Sequence, residues 1–213
     1  MLALLAYTGG YMTVYGMHQY VLYSGTERDF DSMSASELQP KLNVRGSIET
    51  VTYLLHSENI TTDILGFPIG EETQYYYVLP IGYESDREKQ RYCAIAVSNP
   101  EDIAAVEELM KSAPAPHDPN APRFEFRGIV MYMSDAVYGK LKSYLQVQYG
   151  TEYDIVFPTN VSDKLVPYVI HVKGKNGGSY IIPIAIGGAC FVIGAGGFVL
   201  LAVLTYRKKH RYD

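Results

Sequence analysis

The sequence predicts an α+β protein, namely a small OB-like, mostly antiparallel β-barrel or sheet with two helices, flanked by two transmembrane helices. Two observations lead to this class. The 213-residue chain has an uncharged stretch at or near each end, and the polar sequence between these stretches alternates between strand-like and helix-like patterns. A chain of this length suits one medium domain with accessory segments rather than two full domains.

The C-terminal uncharged stretch, residues 180–206, is followed directly by a basic tail, residues 207–213. A helix of that length reaches about 40 Å at about 1.5 Å per residue, which exceeds the ~30 Å hydrocarbon core of a bilayer. We therefore expect a transmembrane helix. Because Lys and Arg beside a span stay on the cytoplasmic side, the tail is expected to be a cytoplasmic anchor. Its cations are Arg207, Lys208, Lys209 and Arg211.

The N-terminal stretch, residues 1–23, is also uncharged but less apolar. It has no basic residue before Arg28 and no small-residue cleavage pattern, so an uncleaved transmembrane anchor is favoured over a cleaved signal peptide. The missing basic flank leaves open a true start upstream of Met1. With two spans, both termini are expected in the cytoplasm and residues 24–178 outside the cell membrane.

The expected outside portion is acidic. The tail holds four of the 18 basic residues and one of the 23 acidic ones, so the rest carries 14 basic residues against 22 acidic ones, a net charge of about −8. This charge argues against nucleic acid as the ligand, because backbone phosphates attract Lys and Arg and repel acidic side chains. The expected partners are the lipid bilayer, a protein partner or a second copy bound through the transmembrane helices, and a glycan.

The region between the spans divides into three parts. Residues 24–41 form a polar lead-in, in which Ser34 and Glu37 have the spacing of a capping box that predicts one short helix. Residues 42–174 form the OB-like α+β domain. Residues 175–179 form a glycine-rich linker to the second span.

Within the domain, apolar residues alternate from Leu42 and change phase at Val51, which predicts one long bent strand followed by a polar loop at 56–72. The remaining predicted elements are strands at 74–81 and 91–97, a helix at 99–112, a strand at 124–132, a helix from Ser134 to Gly150 and a strand at 167–173. This order is similar to that of an OB fold, and another small mixed α+β sheet is the alternative. Glycines at 46, 128 and 174, each after a basic residue, would let strands of a small barrel curve.

Several of these segments together resemble a family of bacterial membrane-anchored proteins of unknown function. The resemblance is carried by the motifs LNVRGSI, YYYVLPIG, FRGIV and SDAVYGKLKSYL, placed between an N-terminal and a C-terminal span. It covers most of the chain and implies a cell-membrane location with a small extracytoplasmic domain. It implies no active-site residues.

Three consecutive tyrosines, Tyr75, Tyr76 and Tyr77, begin the apolar part of one predicted strand. Because neighbouring side chains in a strand point to opposite faces, the favoured interpretation is that one set fills the core and the other packs under a helix or loop. The alternative is a binding platform, in which Tyr76 with Tyr132 or Tyr53 stacks on a sugar or a peptide.

The sequence contains little that indicates an enzyme. The sequence has no nucleophile-elbow, zinc-protease, phosphate-loop or dinucleotide-binding motif. His56, His117 and His171 are isolated from one another in the sequence, and Cys93 and Cys190 lie in different predicted compartments. We therefore predict no catalytic residue, no metal site and no cofactor.

Small residues recur at intervals of seven in both spans, and such spacing places them on one helix face where backbones can approach closely. This predicts pairing of the two spans or self-association through them. The candidate packing residues are Gly9 and Gly16 in the first span, and Gly187, Gly194, Ala189 and Gly196 in the second.

The sequence thus favours a non-enzymatic membrane protein whose acidic outer domain binds an envelope protein or glycan. Two alternatives remain. One is a structural subunit assembled through its glycine-rich spans, and the other is an envelope enzyme without a recognisable motif.

Overall fold

The computed structural model describes residues 1–64, 67–81, 90–111, 122–153, 161–173 and 181–209. The chain forms two compact units. One consists of Met1–Ser24 with Asn176–Asp213, and the other is Gly25–Lys175. The first unit contains two long helices, α1 at Leu2–Tyr23 and α5 at Ile181–Lys209.

One helix among the described residues is long and apolar enough to cross a membrane. It is the part of α5 at Ile184–Lys208, with a mean hydropathy of 2.3. The prediction of two such helices is not met, because α1 falls short of the same standard. Thr8, Thr13 and His18 interrupt its apolar sequence, and such polar residues lower the gain from transfer into hydrocarbon.

The second unit is built on a seven-stranded mixed sheet. Its strand order is β1-β2-β6-β7-β5-β4-β3. The β1/β2 and β5/β7 pairs are parallel and the other neighbours antiparallel. The strands are β1 Glu27–Asp29, β2 Asn43–Ile48, β3 Leu54–Ile64, β4 Phe67–Ile81, β5 Arg91–Val97, β6 Phe124–Tyr132 and β7 Leu165–Val172.

The predicted OB-like barrel is not confirmed, since the described sheet is open with β1 and β3 at its two edges, and the fold agrees with the alternative of a mixed sheet with helices. The change of phase near Val51 does not bend one long strand. It separates β2 from β3, which pair with different partners on opposite sides of the sheet. The predicted loop at 56–72 is also wrong, because β3 and β4 occupy most of it.

Helices cover both faces of the sheet. Helix α2, Pro100–Lys111, places Val106 and Leu109 in the core on one face. Helix α3, Asp135–Tyr153, places Val137, Leu141 and Leu145 in the core on the other. A single-turn helix, α4, at Val161–Lys164 precedes β7. The sequence predicted α2 and the start of α3 correctly, because both carry an apolar stripe at helical spacing.

The lead-in forms two 3₁₀ turns, Phe30–Ser32 and Ala35–Glu37, rather than a helix. The predicted capping interaction is present, because the backbone N–H of Ser34 donates to the Glu37 carboxylate at 2.8 Å. Hydrogen bonds from the backbone and the side chain of Ser34 lower the pKa of Glu37. Phe30 of the first turn is buried in the core, where its ring packs against Phe126.

Two glycines let neighbouring segments come close instead of curving a barrel. A Cβ at Gly46 would lie 2.9 Å from Cβ of Phe30, so only glycine fits beneath the first 3₁₀ turn. A Cβ at Gly128 would lie 2.7 Å from Cγ2 of Ile170 on β7. The third glycine of the predicted set, Gly174, lies outside the described residues.

Candidate functional site

The three consecutive tyrosines lie on β4 with alternating directions. Tyr77 is fully buried in the core beneath α2, and Tyr75 packs beside it half-buried. Tyr76 points to the opposite face, beneath α3, and is 4% exposed. Its ring is therefore not available as an exposed stacking platform, whereas the predicted use of both faces for packing matches this arrangement.

The other two residues of the predicted platform are exposed but packed beside different neighbours. Tyr53 is 51% exposed and stacks on Tyr144 of α3, with ring centroids 4.9 Å apart. Tyr132 is 69% exposed and lies beside Tyr168 of β7, with centroids 5.5 Å apart. No contact among the described residues joins the two tyrosines or joins either to Tyr76.

The sheet face that α3 covers also carries a polar network. The Tyr76 hydroxyl donates a short hydrogen bond to the Glu58 carboxylate and lies 2.8 Å from Oε1 of Gln74. Nε2 of Gln74 lies 3.1 Å from Nδ1 of His171. Four side chains from β3, β4 and β7 are therefore linked across a half-buried surface.

The small side chain of Ala96 makes this linkage feasible. The strand register places Ala96 of β5 between Tyr76 and His171. Because a methyl group leaves space above β5, the tyrosine and histidine rings meet edge to face, with centroids 6.3 Å apart. On its other side Tyr76 lies beside the His56 ring, also at 6.3 Å.

The hydrogen count determines the donors within the network. A phenol has one hydrogen, so Tyr76 cannot donate to both Glu58 and Gln74. All contacts are satisfied when Tyr76 donates to Glu58 and the Gln74 amide turns by 180°, so that its NH₂ donates to the tyrosine oxygen. The Gln74 carbonyl then accepts from Nδ1–H of His171, which leaves Nε2 as the basic atom of a neutral ring.

Burial sets the protonation of this network. It lowers the pKa of His171, against the opposing charge of Glu58. It also raises the pKa of Tyr76, with further contributions from the hydrogen bond to Glu58 and from its charge. Near neutral pH both rings are therefore neutral. The arrangement provides hydrogen-bonding groups but no activated nucleophile, because a tyrosinate is disfavoured.

A second polar cluster lies further along the same face. Arg127 forms a two-pronged ion pair with Glu27, with Nη2 at 2.7 Å and Nε at 2.9 Å from the carboxylate oxygens. Nζ of Lys173 donates to Oδ1 of Asn43 at 2.7 Å and lies 3.8 Å from Glu27. The hydrogen bond from Arg127 is the main cause of the lowered pKa of Glu27.

This cluster holds the two ends of the sheet domain together. Glu27 begins β1 shortly after α1, and Lys173 follows the last residue of β7. The backbone N–H of Lys173 also donates to the carbonyl of Arg127 at 2.7 Å. The chain therefore enters and leaves the domain at neighbouring points.

Three of the predicted helix-packing glycines lie where α1 and α5 touch. A Cβ at Gly187 would lie 2.7 Å from the backbone nitrogen of Thr13, and a Cβ at Gly194 would lie 2.8 Å from the carbonyl oxygen of Leu2. Gly9 meets the backbone of α5 in the same way. The two helices approach closely at these positions because the three glycines lack side chains.

The other predicted packing residues have different surroundings. Gly16 is buried. Ala189 is exposed, and a Cβ at Gly196 would meet nothing within 4 Å. Of the cations that were predicted to anchor the tail, Arg207 and Lys208 are exposed at the end of α5 and Lys209 is its last residue, while Arg211 lies outside the described residues.

Within the described ranges, no group of three or more His, Cys, Asp and Glu side chains could hold a metal ion. Cys93 is fully buried in the core, and burial raises the pKa of its thiol, which opposes thiolate formation. His117 lies outside the described residues.

Sequence reasoning missed the polar network for two reasons. Glu58 fell in the segment predicted as a loop, and His171 was treated as an isolated strand residue. The β-branched residues Ile60, Thr61, Thr62 and Ile64 could have identified β3 as a strand. Alternation along β4 would then have placed Gln74 and Tyr76 on one face.

Comparison with known proteins found no matching family model and no matching curated protein.

Proposed function

We propose that α1 and α5 both cross the cell membrane as a helical hairpin, with both termini in the cytoplasm and the sheet domain outside. The length and apolarity of α5 and its basic end support this topology. Helix α1 is less apolar, but Thr8 and Thr13 hydroxyls donate to carbonyls of their own helix at 2.9 Å and 2.8 Å. Internally bonded hydroxyls are tolerated in hydrocarbon, and contact with α5 shields part of α1.

In this topology the sheet domain is a non-enzymatic interaction module for an envelope protein. One observation carries this function. Strands β3 and β4 continue beyond β5 as a two-stranded ribbon, so Phe67–Gln74 pairs with β3 alone among the strands that the structure describes. A two-stranded ribbon is marginally stable in water, and its open backbone groups favour a further strand from a partner.

The two other binding modes receive less support. A glycan platform would need exposed aromatic rings in one place, whereas Tyr76 is buried and Tyr53 packs on α3. Assembly with other subunits through the spans would use the glycines at Gly9, Gly187 and Gly194, which α1 and α5 already use for contact with each other.

Cysteine labelling tests the topology. Cysteines at exposed Ser143 of α3 and exposed Lys208 of α5 are introduced singly into the full chain, with the native Cys93 and Cys190 replaced by alanine. An impermeant maleimide added to intact cells should label position 143, and label position 208 only after permeabilisation. Labelling of position 208 in intact cells, or of neither position, would contradict the proposed topology.

Cross-linking in the native membrane tests the interaction function. Photoreactive side chains at exposed positions over the sheet domain should link it to a defined protein through at least one surface. The control is the same chain without illumination. If mass spectrometry recovers no partner from any position on the domain, the interaction function is refuted.

A further inference from the structure

The outer edge of β3 is a long strand edge without a described partner. Strand β3, Leu54–Ile64, has 11 residues and pairs with β4 on one side. It is the last strand of the sheet, and no other described strand pairs with it. Ser57, Asn59 and Thr61 are exposed along it.

This edge lacks most of the features that usually protect an edge strand. Protected edges are short, carry Lys or Pro, or are covered. Strand β3 contains neither Lys nor Pro, and its pairing with β4 has register shifts between Leu54 and His56 and between Thr62 and Asp63. The opposite edge of the sheet is β1, which has only three residues. The two edges are therefore built differently, and β3 is the one suited to strand addition.

The charged side chains of the two strands at this edge are of one sign. Strands β3 and β4 contain four acidic residues and no Lys or Arg. Glu71 and Glu72 of β4 are exposed beside β3, opposite Thr61 and Ile60 respectively. The β1-β2-β6 side is different, because its acids are mixed with arginines in ion pairs such as Arg127–Glu27. A segment lying along β3 would meet the exposed carboxylates of Glu71 and Glu72, which favour Lys and Arg.

We propose that the free edge of β3 binds an extended, basic segment of another protein, which adds to the sheet as an eighth strand. Backbone hydrogen bonds to β3 provide affinity, and the acidic side chains of the ribbon select for positive charge. This inference rests on the proposed interaction function and names its partner. A second copy does not fit, since two β3 edges would bring like charges together and β1 is too short to pair along β3.

The test places a photoreactive side chain at Ser57, Asn59 or Thr61 of the full chain in its native membrane. Linked peptides should come from another protein, carry net positive charge, and shift by two positions when the reactive residue moves by two, as strand pairing requires. Glu72→Lys should reduce the linked yield about tenfold. The matched control is Glu108→Lys, the same reversal on the exposed side of α2, which should leave the yield unchanged.

Other results would refute the proposal that the outer edge of β3, the docking edge, binds a basic segment. These are links to a second copy, links to lipid, links to neutral or acidic peptides, links without a two-residue register, and equal effects of the two charge reversals. A parallel probe at Arg28 or Tyr132 separates the two levels of the argument. Partner links from these positions but none from β3 would refute the docking edge and retain the interaction function. No links from any position would refute both.

Discussion

Tyr76 and Tyr77 offer a matched pair of substitutions in which removal of the same oxygen should have opposite effects. Tyr77 is 0% exposed, and its hydroxyl has no hydrogen-bond partner among the described residues. The Tyr76 hydroxyl, on the other face of β4, donates to the Glu58 carboxylate. We therefore expect Tyr77→Phe to stabilise the domain and Tyr76→Phe to destabilise it.

The magnitudes follow from what each hydroxyl contacts. A buried, unpaired polar group costs about 1–3 kcal/mol, and a hydrogen bond to a charged group contributes about 1.5–3 kcal/mol. Tyr77→Phe should thus raise the free energy of unfolding by about 1 kcal/mol. Tyr76→Phe should lower it by about 2 kcal/mol, because the half-buried Glu58 loses its donor.

Thermal unfolding of the full chain in detergent, followed by circular dichroism, measures the difference. For a domain of this size, 1 kcal/mol shifts Tm by about 2–4 °C, so the two variants should differ by about 6–12 °C at pH 7. A Tyr77→Phe variant that melts below the wild type would refute the reasoning. Shifts of equal sign and size would do the same.

The pH dependence gives a second readout for Tyr77. Burial, with the nearby charge of Glu107, raises the pKa of Tyr77 to about 12. Above pH 10 the unfolded chain releases the phenol proton while the folded chain retains it, so stability falls with rising pH between about 10 and 12. The slope should be smaller in Tyr77→Phe.

Further predictions concern the helices and the two polar clusters. Gly194→Leu should abolish photocrosslinking between α1 and α5, whereas Gly196→Leu should leave it intact, because only position 194 lies at the contact. The lowered pKa of Glu27 means that its stabilising contribution is lost as pH falls through the folded-state pKa, below 4.5. Arg127→Leu should shrink that acid-induced decrease of Tm. The lowered pKa of His171 predicts loss of stability as pH falls below about 6.5. His171→Gln should remove this step, and an unchanged profile would contradict the assigned protonation.

Local patterns in the sequence predicted those elements whose signals are themselves local. Helix α2 begins at Pro100 with two acids in its first turn, and its apolar stripe ends in the core at Val106 and Leu109. The hairpin of β4 and β5 follows from two apolar runs on either side of a polar segment. In each case short-range sequence and tertiary packing favour the same structure.

Strand pairing was not predictable in the same way. Strands β2 and β3 are neighbours in sequence but lie on opposite sides of the sheet, because β2 pairs with β6 and β3 with β4. The change of phase near Val51 is the same for a bend within one strand and for a passage between two. Nothing local to that segment distinguishes an open sheet from a barrel.

In the candidate sites, too, local features were predictable from the sequence and features that depend on strand pairing were not. Alternation alone predicted that the tyrosines of β4 would use both faces. The link from Gln74 to His171 depends on the parallel pairing of β5 with β7, which joins distant parts of the chain. The edge position of β3 likewise depends on how all the other described strands pair, which the local sequence does not specify.

The pairing of α1 with α5 has a consequence for biosynthesis. Helix α1 is complete at Tyr23, whereas its partner begins at Ile181. At about 5–20 residues per second, the ribosome needs roughly 10–30 s to make the intervening chain. Under the proposed topology, α1 lies in the membrane during this interval without α5, the helix with which it packs. Until α5 is made, α1 lacks this contact, so a chain truncated before α5 should be extracted from the membrane more readily than the full chain.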